Sequence, residues 1–341
     1  MILKMELGPS SYDIVVERGS LGKLKTYLEL QRKVLVVTDD GIPEKYVKSV
    51  LSQCNDAVLL TFPHGDKSKS LANYEKILST LVDNSFSRSD VVIALGGGMV
   101  SDLAGFAASS YMRGMDFYII PTTLLSQVDA SIGGKVAVNF KGYKNLVGAF
   151  YQPKKVVIDL DTLKTLDERL FNEGLAEAIK VGTTNNLSLF ELIEKSENIH
   201  EDIDKIVTMS LMIKKSIVEK DEKESWLRQT LNYGHTVGHA IESLSEGKLY
   251  HGECVSIGML YLISDDSRDR LKKVLVKYNL PTIDQFASEE LIQVITHDKK
   301  AKDETVTVCY VEEIGKNKLK RLSVSELKKL IEEYKKIWKT Y

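Results

Sequence analysis

The sequence is poor in cysteine and contains no long apolar run. Its three cysteines, Cys54, Cys254 and Cys309, are far apart and odd in number, which argues against a disulfide framework and indicates reduced thiols. No apolar run reaches the roughly 18 residues that a membrane-spanning helix needs. The first 17 residues alternate like a strand and carry no secretory signal pattern. We therefore expect a cytoplasmic protein without a membrane partner.

An excess of charge of one sign is also lacking. Lys and Arg total 46 and Asp and Glu total 48, giving a formal net charge of −2. Nucleic-acid binding needs a basic excess, so this balance argues against a nucleic-acid partner. The chain has no Pro/Gly/Ser-rich linker, internal repeat or low-complexity tract. With 341 residues it is long enough for two domains, each with its own core.

Short apolar runs alternate with helical patterns in the first half of the chain. The runs are rich in Val, Ile and aromatic residues and end at turn residues, as strands do. The predicted strands are residues 33–40, 56–63, 90–98, 116–123 and 155–160. Helical periodicity in 43–53 and 71–84 separates them. Near-continuous apolar strands with helical crossovers are typical of a parallel sheet, so we predict an α/β fold with a Rossmann-like N-terminal domain over residues 1–160.

Helical spacing dominates the rest of the chain. The exception is residues 305–315, which read as a strand or hairpin. The segments with helical spacing are residues 168–182, 188–199, 203–224, the histidine-rich stretch, 254–278 and 323–339. We therefore predict a mostly α-helical C-terminal domain over residues 161–341.

Three of the six histidines lie between residues 228 and 253. His235 and His239 are four residues apart, on one face of a helix, and a loop at Gly247 could return His251 toward them. Imidazole is the commonest metal ligand, and a catalytic zinc usually takes three protein ligands. A carboxylate from elsewhere is therefore a further candidate ligand. The alternative is a helix with one histidine capping and one packed.

Glu177 is the candidate carboxylate because Ala176, Ala178 and Ile179 flank it. Lys180 follows it at the i+3 spacing that places two side chains on one helix face. The alternative interpretation is an ordinary surface Glu–Lys pair.

A glycine-rich loop follows the third predicted strand. Gly96, Gly97 and Gly98 lie where a strand passes into a helix, a setting in which backbone N–H groups and the helix N-terminus bind phosphate. The run is neither GxGxxG nor a P-loop. It indicates a nucleotide diphosphate site or, alternatively, a tight turn without a ligand. Thr122 and Thr123, at the end of the next strand, could donate to the same ligand.

Cationic residues cluster in several polar segments. Residues 128–145 surround a Gly-Gly turn and are too polar for a core strand and too rich in glycine for a helix. Lysines in a cleft bind phosphate or carboxylate as point charges, although any single lysine is solvated surface by default. Further along the chain, Arg228, Asn232, His235 and His239 follow in steps of four, three and four, which predicts one continuous stripe along a helix.

These segments, taken in order, resemble the motifs of the 3-dehydroquinate synthases. The matching stretches are GGGMVSDLAGFAASSYMRG, IPTTLLSQVDASIGGKVAVN, GLAEAIK, LRQTLNYGHTVGHAIES, HGE and DKK. The resemblance extends from about residue 60 to about residue 300. The histidine motif and the DASIGGK segment are highly specific to this family and its sugar phosphate cyclase relatives. The resemblance implies conversion of 3-deoxy-D-arabino-heptulosonate 7-phosphate to 3-dehydroquinate and phosphate. It also implies catalytic NAD, one divalent metal (zinc, or alternatively cobalt) and a homodimer.

When the family's metal ligands are carried over by motif, the resemblance implies Glu177, His235 and His251 in place of a His235–His239 pair. It gives catalytic roles to Glu224, His239, Lys135 and Lys180. The substrate would be held by a larger polar set: Arg113 from a dimer neighbour, Asp129, Lys135, Lys144, Asn145, Lys180, Lys214, Arg228, Asn232, His239 and Lys300. NAD would be bound by Asp66, Lys69, Gly96, Gly97, Gly98, Asp102, Thr122, Thr123, Asp129 and Lys144.

The chain departs from the family pattern at a few positions. Ser101 and Trp226 stand where glycine is usual, and Asp66 stands where glutamate is usual. Two alternative functions remain at this stage: another sugar phosphate cyclase, such as an aminodehydroquinate or 2-deoxy-scyllo-inosose synthase, and a metal-dependent polyol dehydrogenase. Lys135, Lys144, Asn145 and Arg228 together favour a substrate with a carboxylate.

Overall fold

The structure, a computed structural model, describes residues 1–298 and 305–338. It divides into two compact units, Met1–Phe171 and Asn172–Tyr341, whereas the sequence interpretation drew the boundary after residue 160. The 3-10 helix Leu160–Thr165 remains with the first unit because of its polar contacts. Asp161 N donates to Asp159 Oδ1 at 3.0 Å, and Arg18 pairs with the Asp161 carboxylate at 2.8 Å.

A seven-stranded sheet forms the centre of the first unit. Its strands are β1 (Ile2–Met5), β2 (Tyr12–Val16), β3 (Lys33–Asp39), β4 (Asp56–Phe62), β5 (Val91–Gly96), β6 (Asp116–Pro121) and β9 (Lys155–Ile158). The spatial order is β1-β2-β9-β6-β5-β3-β4. Every pair is parallel except β1–β2. The predicted parallel sheet is confirmed.

Helices connect the strands of this sheet. They are α1 (Glu44–Leu51), α2 (Leu71–Asp83) and α3 (Gly98–Ser110). The central strand β5 is buried at every position, which explains its continuous apolar run. Val91, Ile93 and Leu95 pack in one cluster with Val34 and Val36 of the neighbouring strand β3. This core fixes the carboxyl ends of the strands, where an open α/β sheet binds its ligands.

Residues 135–150 form a β-hairpin that the sequence interpretation did not predict. Strand β7 (Lys135–Phe140) pairs antiparallel with β8 (Tyr143–Phe150). Lys141 and Gly142, with φ of 50° and 83°, make the two-residue connection that suits a type I′ turn. Only a short apolar run, residues 136–138, is buried in β7, and the surrounding glycines and lysines obscured it.

The second unit is mostly helical, as predicted. Its helices are α4 (Glu168–Asn185, which begins before the boundary), α5 (Leu187–Lys195), α6 (Ile199–Val218), α7 (His235–Leu244), α8 (His251–Tyr261), α9 (Asp265–Lys277), α10 (Ser288–Asp298) and α11 (Val324–Trp338). The strand or hairpin predicted at 305–315 is present as β10 (Thr305–Glu313), which pairs with β11 (Lys316–Ser323). No helix in the described part of the chain has the length and apolar character needed to cross a membrane.

The prediction of one helical stripe from Arg228 to His239 is wrong. Leu227–Asn232 forms a separate 3-10 helix. Tyr233 then turns extended at ψ 131°, and Gly234 adopts a left-handed conformation at φ 77°, which glycine adopts readily. Helix α7 therefore begins at His235, and Arg228 and Asn232 belong to a different segment.

Helices α7 and α8 pack very closely because glycines line their contact. A Cβ added at Gly258 would lie 2.0 Å from the carbonyl oxygen of Gly234, and one at Gly238 would lie 3.0 Å from that of Cys254. The obstructing atoms belong to the backbone, so a substitution would have to move a helix. This contact sets the spacing between the first residues of the two helices, His235 and His251.

We expect Gly258→Ala to lower the unfolding free energy by about 1–3 kcal/mol, the usual cost of overpacking a core. Urea unfolding followed by circular dichroism measures this change. The control is Gly22→Ala, where an added Cβ meets no heavy atom within 4 Å, and it should change stability by at most about 1 kcal/mol. Equal unfolding free energies for Gly258→Ala and the wild type would contradict the close packing.

Candidate functional site

Three histidines converge at the start of helices α7 and α8. His235 and His239 lie on successive turns of α7, and His251 is the first residue of α8. One ring nitrogen of each lies within 4.8 Å of the others. The ring centroids of His239 and His251 are each 5.1 Å from that of His235. The return of His251 toward the pair is therefore present, with a left-handed turn at Gly247 (φ 83°) between the helices.

Glu177 of α4 completes this group. Its Oε1 lies 3.8 Å from Nε2 of both His235 and His251, and the residue is 1% exposed. Its other oxygen forms an ion pair with Lys180, also 1% exposed. Among the residues that the structure describes, Oε1 has no hydrogen-bond partner. A buried carboxylate oxygen that faces two imidazoles suits a cation, and this burial excludes an ordinary surface Glu–Lys pair.

Acceptors on the far side of two imidazoles orient them. His235 Nδ1 lies 3.0 Å from the carbonyl oxygen of Tyr233, and His251 Nδ1 lies 3.2 Å from Glu242 Oε2. A proton held at Nδ1 leaves the Nε2 lone pair directed toward Glu177, which is the arrangement of metal-binding histidines. The sequence interpretation missed Glu242, although it lies three residues after His239 on the same face of α7.

The pKa values of the two histidines differ because their neighbours differ. Burial, and then the charges of Lys180 and His239, hold the pKa of His235 well below its usual range, so this imidazole is neutral at pH 7. Burial also opposes the charged form of His251, but the Glu242 carboxylate outweighs it and raises the pKa of that ring. Metal binding requires neutral imidazole. Because His251 has the higher pKa, a metal ion that binds there displaces more protons than one that binds at His235.

Removing the Glu242 carboxylate should weaken metal binding. We expect Glu242→Leu to lower zinc affinity by about 10–100-fold, the usual effect of losing such an outer contact. Glu242→Gln keeps an acceptor oxygen, so its zinc affinity should lie between those of Glu242→Leu and the wild type. Competition with a chelating dye measures the affinity. The control Glu246→Leu removes an exposed carboxylate just beyond α7 and should leave zinc affinity unchanged. If Glu242→Leu also binds zinc with wild-type affinity, Glu242 does not support metal binding through His251.

Four other predicted residues of the second unit lie on helix α6, in the turn that follows it and on the 3-10 helix Leu227–Asn232. Lys214 and Arg228 are buried, and the Asn232 amide donates to Glu224 Oε1 at 2.5 Å. The structure thus brings Glu224 and Asn232 together. Lys300 lies outside the described residues.

In the first unit the glycine loop joins strand β5 to helix α3. Gly96 ends β5, Gly97 caps α3 and Gly98 is its first residue. A Cβ at Gly97 would lie 3.2 Å from Thr123 Cγ2, and Thr122 N donates to Gly96 O at 3.0 Å. The loop after β6 therefore packs against the helix N-terminus, where an anion binds favourably.

Five further predicted residues meet beside this loop. Lys69 is buried, and its ammonium contacts the Asp102 carboxylate and the Asn145 side-chain oxygen. Lys144 lies 3.3 Å from the Asp66 carboxylate. The side chains thus form two adjacent polar clusters on α3, the hairpin and residues 66–69.

The remaining predicted residues of this unit lie on irregular or exposed backbone. Asp129 belongs to the short π-helix Ser126–Ala130, a conformation often found at functional sites. Lys135 is exposed at the start of β7. Arg113 is exposed, with a left-handed φ of 66°.

The sequence interpretation missed Asp39. It ends β3 beside β5 and is 9% exposed, and a Cβ at Gly96 would lie 3.4 Å from its Oδ2. Burial raises the pKa of this carboxyl. A carboxylate at the end of a strand that neighbours a glycine loop can accept hydrogen bonds from the ribose hydroxyls of a dinucleotide. The signal was present in the sequence, since TDD closes the predicted strand 33–40.

Comparison with known proteins gives consistent matches along the chain. A family model described as 3-dehydroquinate synthase N-terminal matches residues 59–173, and one described as 3-dehydroquinate synthase C-terminal matches residues 174–301. The 3-dehydroquinate synthase of Clostridium acetobutylicum is 39% identical over 334 residues, which cover 92% of this chain and 94% of that protein.

Solved structures show the same fold at lower identity. A 2-deoxy-scyllo-inosose synthase complexed with carbaglucose-6-phosphate, NAD+ and Co2+ superimposes with a TM-score of 0.88 at 22% identity, covering 98% of this chain and 100% of that chain. A 2-epi-5-epi-valiolone synthase from Streptomyces hygroscopicus with NAD+ and Zn2+ bound gives 0.88 at 23%, covering 97% and 98%. Because the two family models together match more than half of its residues and a curated relative matches nearly its full length, this chain belongs to the 3-dehydroquinate synthase family.

Proposed function

We propose that this chain is a 3-dehydroquinate synthase, a lyase that converts 3-deoxy-D-arabino-heptulosonate 7-phosphate to 3-dehydroquinate and phosphate in the shikimate pathway. The observation that carries the proposal is the buried Glu177 oxygen 3.8 Å from Nε2 of both His235 and His251. This arrangement occurs in a chain that belongs to the 3-dehydroquinate synthase family. We further propose cytoplasmic activity as a homodimer, with Arg113 of one subunit reaching the substrate phosphate of its neighbour.

A divalent metal fits the residues of the second unit. Two imidazoles and one carboxylate are a ligand set that zinc accepts, with one position left for substrate. We assign Glu177, His235 and His251 to the metal and His239 to the substrate. The metal, zinc or cobalt, supplies a Lewis acid that favours ionised hydroxyls. Glu242 and the Tyr233 carbonyl orient the two imidazoles.

NAD fits the residues of the first unit, which we propose as the cofactor-binding domain. The α3 N-terminus and the loop of Gly96, Gly97 and Gly98 would bind the diphosphate. Asp39 and Asp66 would accept hydrogen bonds from the ribose hydroxyls. The site would be completed by Lys69, Asp102, Thr122, Thr123, Asp129 and Lys144. Bound NAD would supply reversible hydride-acceptor chemistry, and the overall reaction would involve no net oxidation.

The cations and the remaining polar residues would bind the substrate. Lys180, Lys214 and Arg228 are buried and therefore attract phosphate and carboxylate more strongly than exposed cations do. Glu224 and His239 would transfer protons, and Asn232 would hold Glu224 in place. Lys135, Lys144, Asn145 and Asp129 of the first unit, and Lys300, complete the proposed set. The chain's contribution to phosphate elimination, ring opening and aldol closure is then mainly positioning and fixed charge.

Lys135→Ala should slow phosphate release because a cation that stabilises the departing phosphate is lost. Loss of one such electrostatic contact costs about 100-fold or more in turnover. The control is Lys141→Ala, an exposed lysine at the turn of the same hairpin, which should release phosphate at the wild-type rate. A Lys135→Ala variant that matches Lys141→Ala would remove Lys135 from the mechanism.

The test of the proposed function is incubation of the purified protein with heptulosonate phosphate, NAD and zinc. We expect phosphate release without accumulation of NADH, because the hydride is returned. A metal-dependent polyol dehydrogenase would instead accumulate NADH with a simple polyol such as glycerol. That outcome, with no phosphate released from the heptulosonate, would overturn the proposal.

A further inference from the structure

A buried carboxylate organises the turn that follows helix α6. Helical spacing predicted that this helix extends to residue 224, but it ends at Val218 and the chain turns back at Asp221. Asp221 is 5% exposed. Its Oδ1 accepts from the Ser225 N–H and hydroxyl, each at 2.8 Å. Its Oδ2 accepts from the N–H groups of Trp226 at 2.8 Å and Arg228 at 2.9 Å.

The carboxylate remains charged in this setting. Burial raises the pKa of Asp221, but the N–H donors of Arg228, Trp226 and Ser225 outweigh burial and hold the pKa well below its usual range. Hydrogen bonds to a charged acceptor are about twice as strong as neutral ones. Asp221 therefore holds the backbone of residues 225–228 more firmly than a neutral side chain would.

The turn carries residues of the proposed substrate site. Glu224 adopts a left-handed φ of 60°, which a non-glycine residue keeps only where the surroundings hold it. Its carboxylate accepts from Asn232. The Arg228 guanidinium donates to the Glu222 carbonyl at 2.5 Å. The positions of Glu224, Arg228 and Asn232 thus all depend on the path of residues 221–228.

We propose that Asp221 is a positioning residue for catalysis, which fixes the backbone so that Glu224 and Arg228 keep one arrangement toward the substrate. The proposal rests on the proposed function. Asp221→Asn is the informative change, because an amide has one acceptor oxygen where the carboxylate has two. With that oxygen toward Trp226 and Arg228, the NH2 group would face the Ser225 N–H, so this hydrogen bond would be lost and the others would lose their charged acceptor, while the side-chain volume is kept.

Trp226 makes the turn observable. The chain has two tryptophans, so a Trp338→Phe background leaves Trp226, which is 57% exposed, as the sole indole. In that background we expect Asp221→Asn to lower Trp226 fluorescence anisotropy and increase its quenching by acrylamide. We expect kcat/KM to fall about 100-fold, the effect of a misplacement of roughly 1 Å. Zinc stoichiometry should remain one per chain, which separates loss of positioning from loss of the metal site.

The control is Asp269→Asn, an exposed carboxylate on α9, which should match the parent in every measurement. Wild-type kcat/KM and anisotropy in Asp221→Asn would overturn the proposal. If that variant does not fold, Ser225→Ala removes one of the four bonds and should lower both quantities partway; parental values in Ser225→Ala would then overturn it. If the parent itself releases no phosphate from the heptulosonate, the proposed function fails, whereas an unchanged Trp226 anisotropy is the separate failure of this inference.

Discussion

His235→Ala should lose bound metal and activity together. His235 is held at the start of α7, its Nδ1 faces the Tyr233 carbonyl, and its Nε2 faces Glu177. Removing a direct ligand should lower zinc affinity by more than the ~10–100-fold that outer contacts are worth. Inductively coupled plasma analysis after desalting should find about one zinc per wild-type chain and almost none per variant chain, with turnover reduced in the same proportion.

The matched control is His200→Ala, which removes an exposed imidazole on α6 and should retain zinc and activity. The two variants lose the same chemical group, so a difference between them isolates the proposed ligand. Full zinc content with wild-type turnover in His235→Ala would show that this histidine does not bind the catalytic metal.

Lys180→Met should destabilise the metal-free protein more than any other single charge removal proposed for this chain. Glu177 and Lys180 are both 1% exposed and form an ion pair. Breaking a buried pair by removing one partner costs about 3–5 kcal/mol, because the remaining charge is left uncompensated. Urea unfolding in the presence of a chelator measures this loss. Zinc at Glu177 would supply the missing positive charge, so added zinc should stabilise the variant more than the wild type.

The control for Lys180→Met is Lys195→Met. Lys195 pairs with Glu191 at 2.9 Å on α5, but the lysine side chain is 70% exposed and the glutamate side chain 38%. Exposed pairs contribute up to about 1 kcal/mol, so this variant should unfold almost as the wild type does. A loss below about 1 kcal/mol in Lys180→Met, or an equal effect of zinc on variant and wild type, would contradict the assignment of Glu177 to the metal.

Much of the fold was predictable because its signals are local. The strands of the parallel sheet are short apolar runs, since burial on both faces requires apolar residues throughout. Helices such as α9 show 3.6-residue periodicity for the opposite reason, since only one face is buried, whereas α8 is buried from Gly252 to Tyr261. The β7–β8 hairpin was not predictable in this way, because its buried run of residues 136–138 is short and glycines and lysines surround it.

The functional residues were predictable to different extents. HxxxH spacing and a third histidine indicated a metal site, but spacing alone selected His235 with His239. Family resemblance selected Glu177, His235 and His251. Glu177 lies 3.8 Å from the other two residues, and the three histidines also lie together, so this ligand set is our proposal. Glu242 and Asp221 act through other residues, and their roles depend on distances that no sequence pattern specifies.

The helical stripe from Arg228 to His239 failed for a physical reason. Periodicity treats the segment as one helix, but the hydrogen bonds from residues 225–228 to Asp221 and the left-handed Gly234 divide it into two. A buried carboxylate that binds several backbone N–H groups competes with helix formation, and periodicity contains no information about this competition.

The position of the bound divalent ion is the central feature of the proposed site. The measurement that tests it most directly is anomalous diffraction at the zinc edge from crystals of the zinc-loaded protein. We expect one peak about 2.0–2.2 Å from a Glu177 oxygen and from Nε2 of His235 and of His251, with His239 outside the coordination sphere. A peak bound by His239 in place of Glu177, or no peak among these residues, would contradict the account.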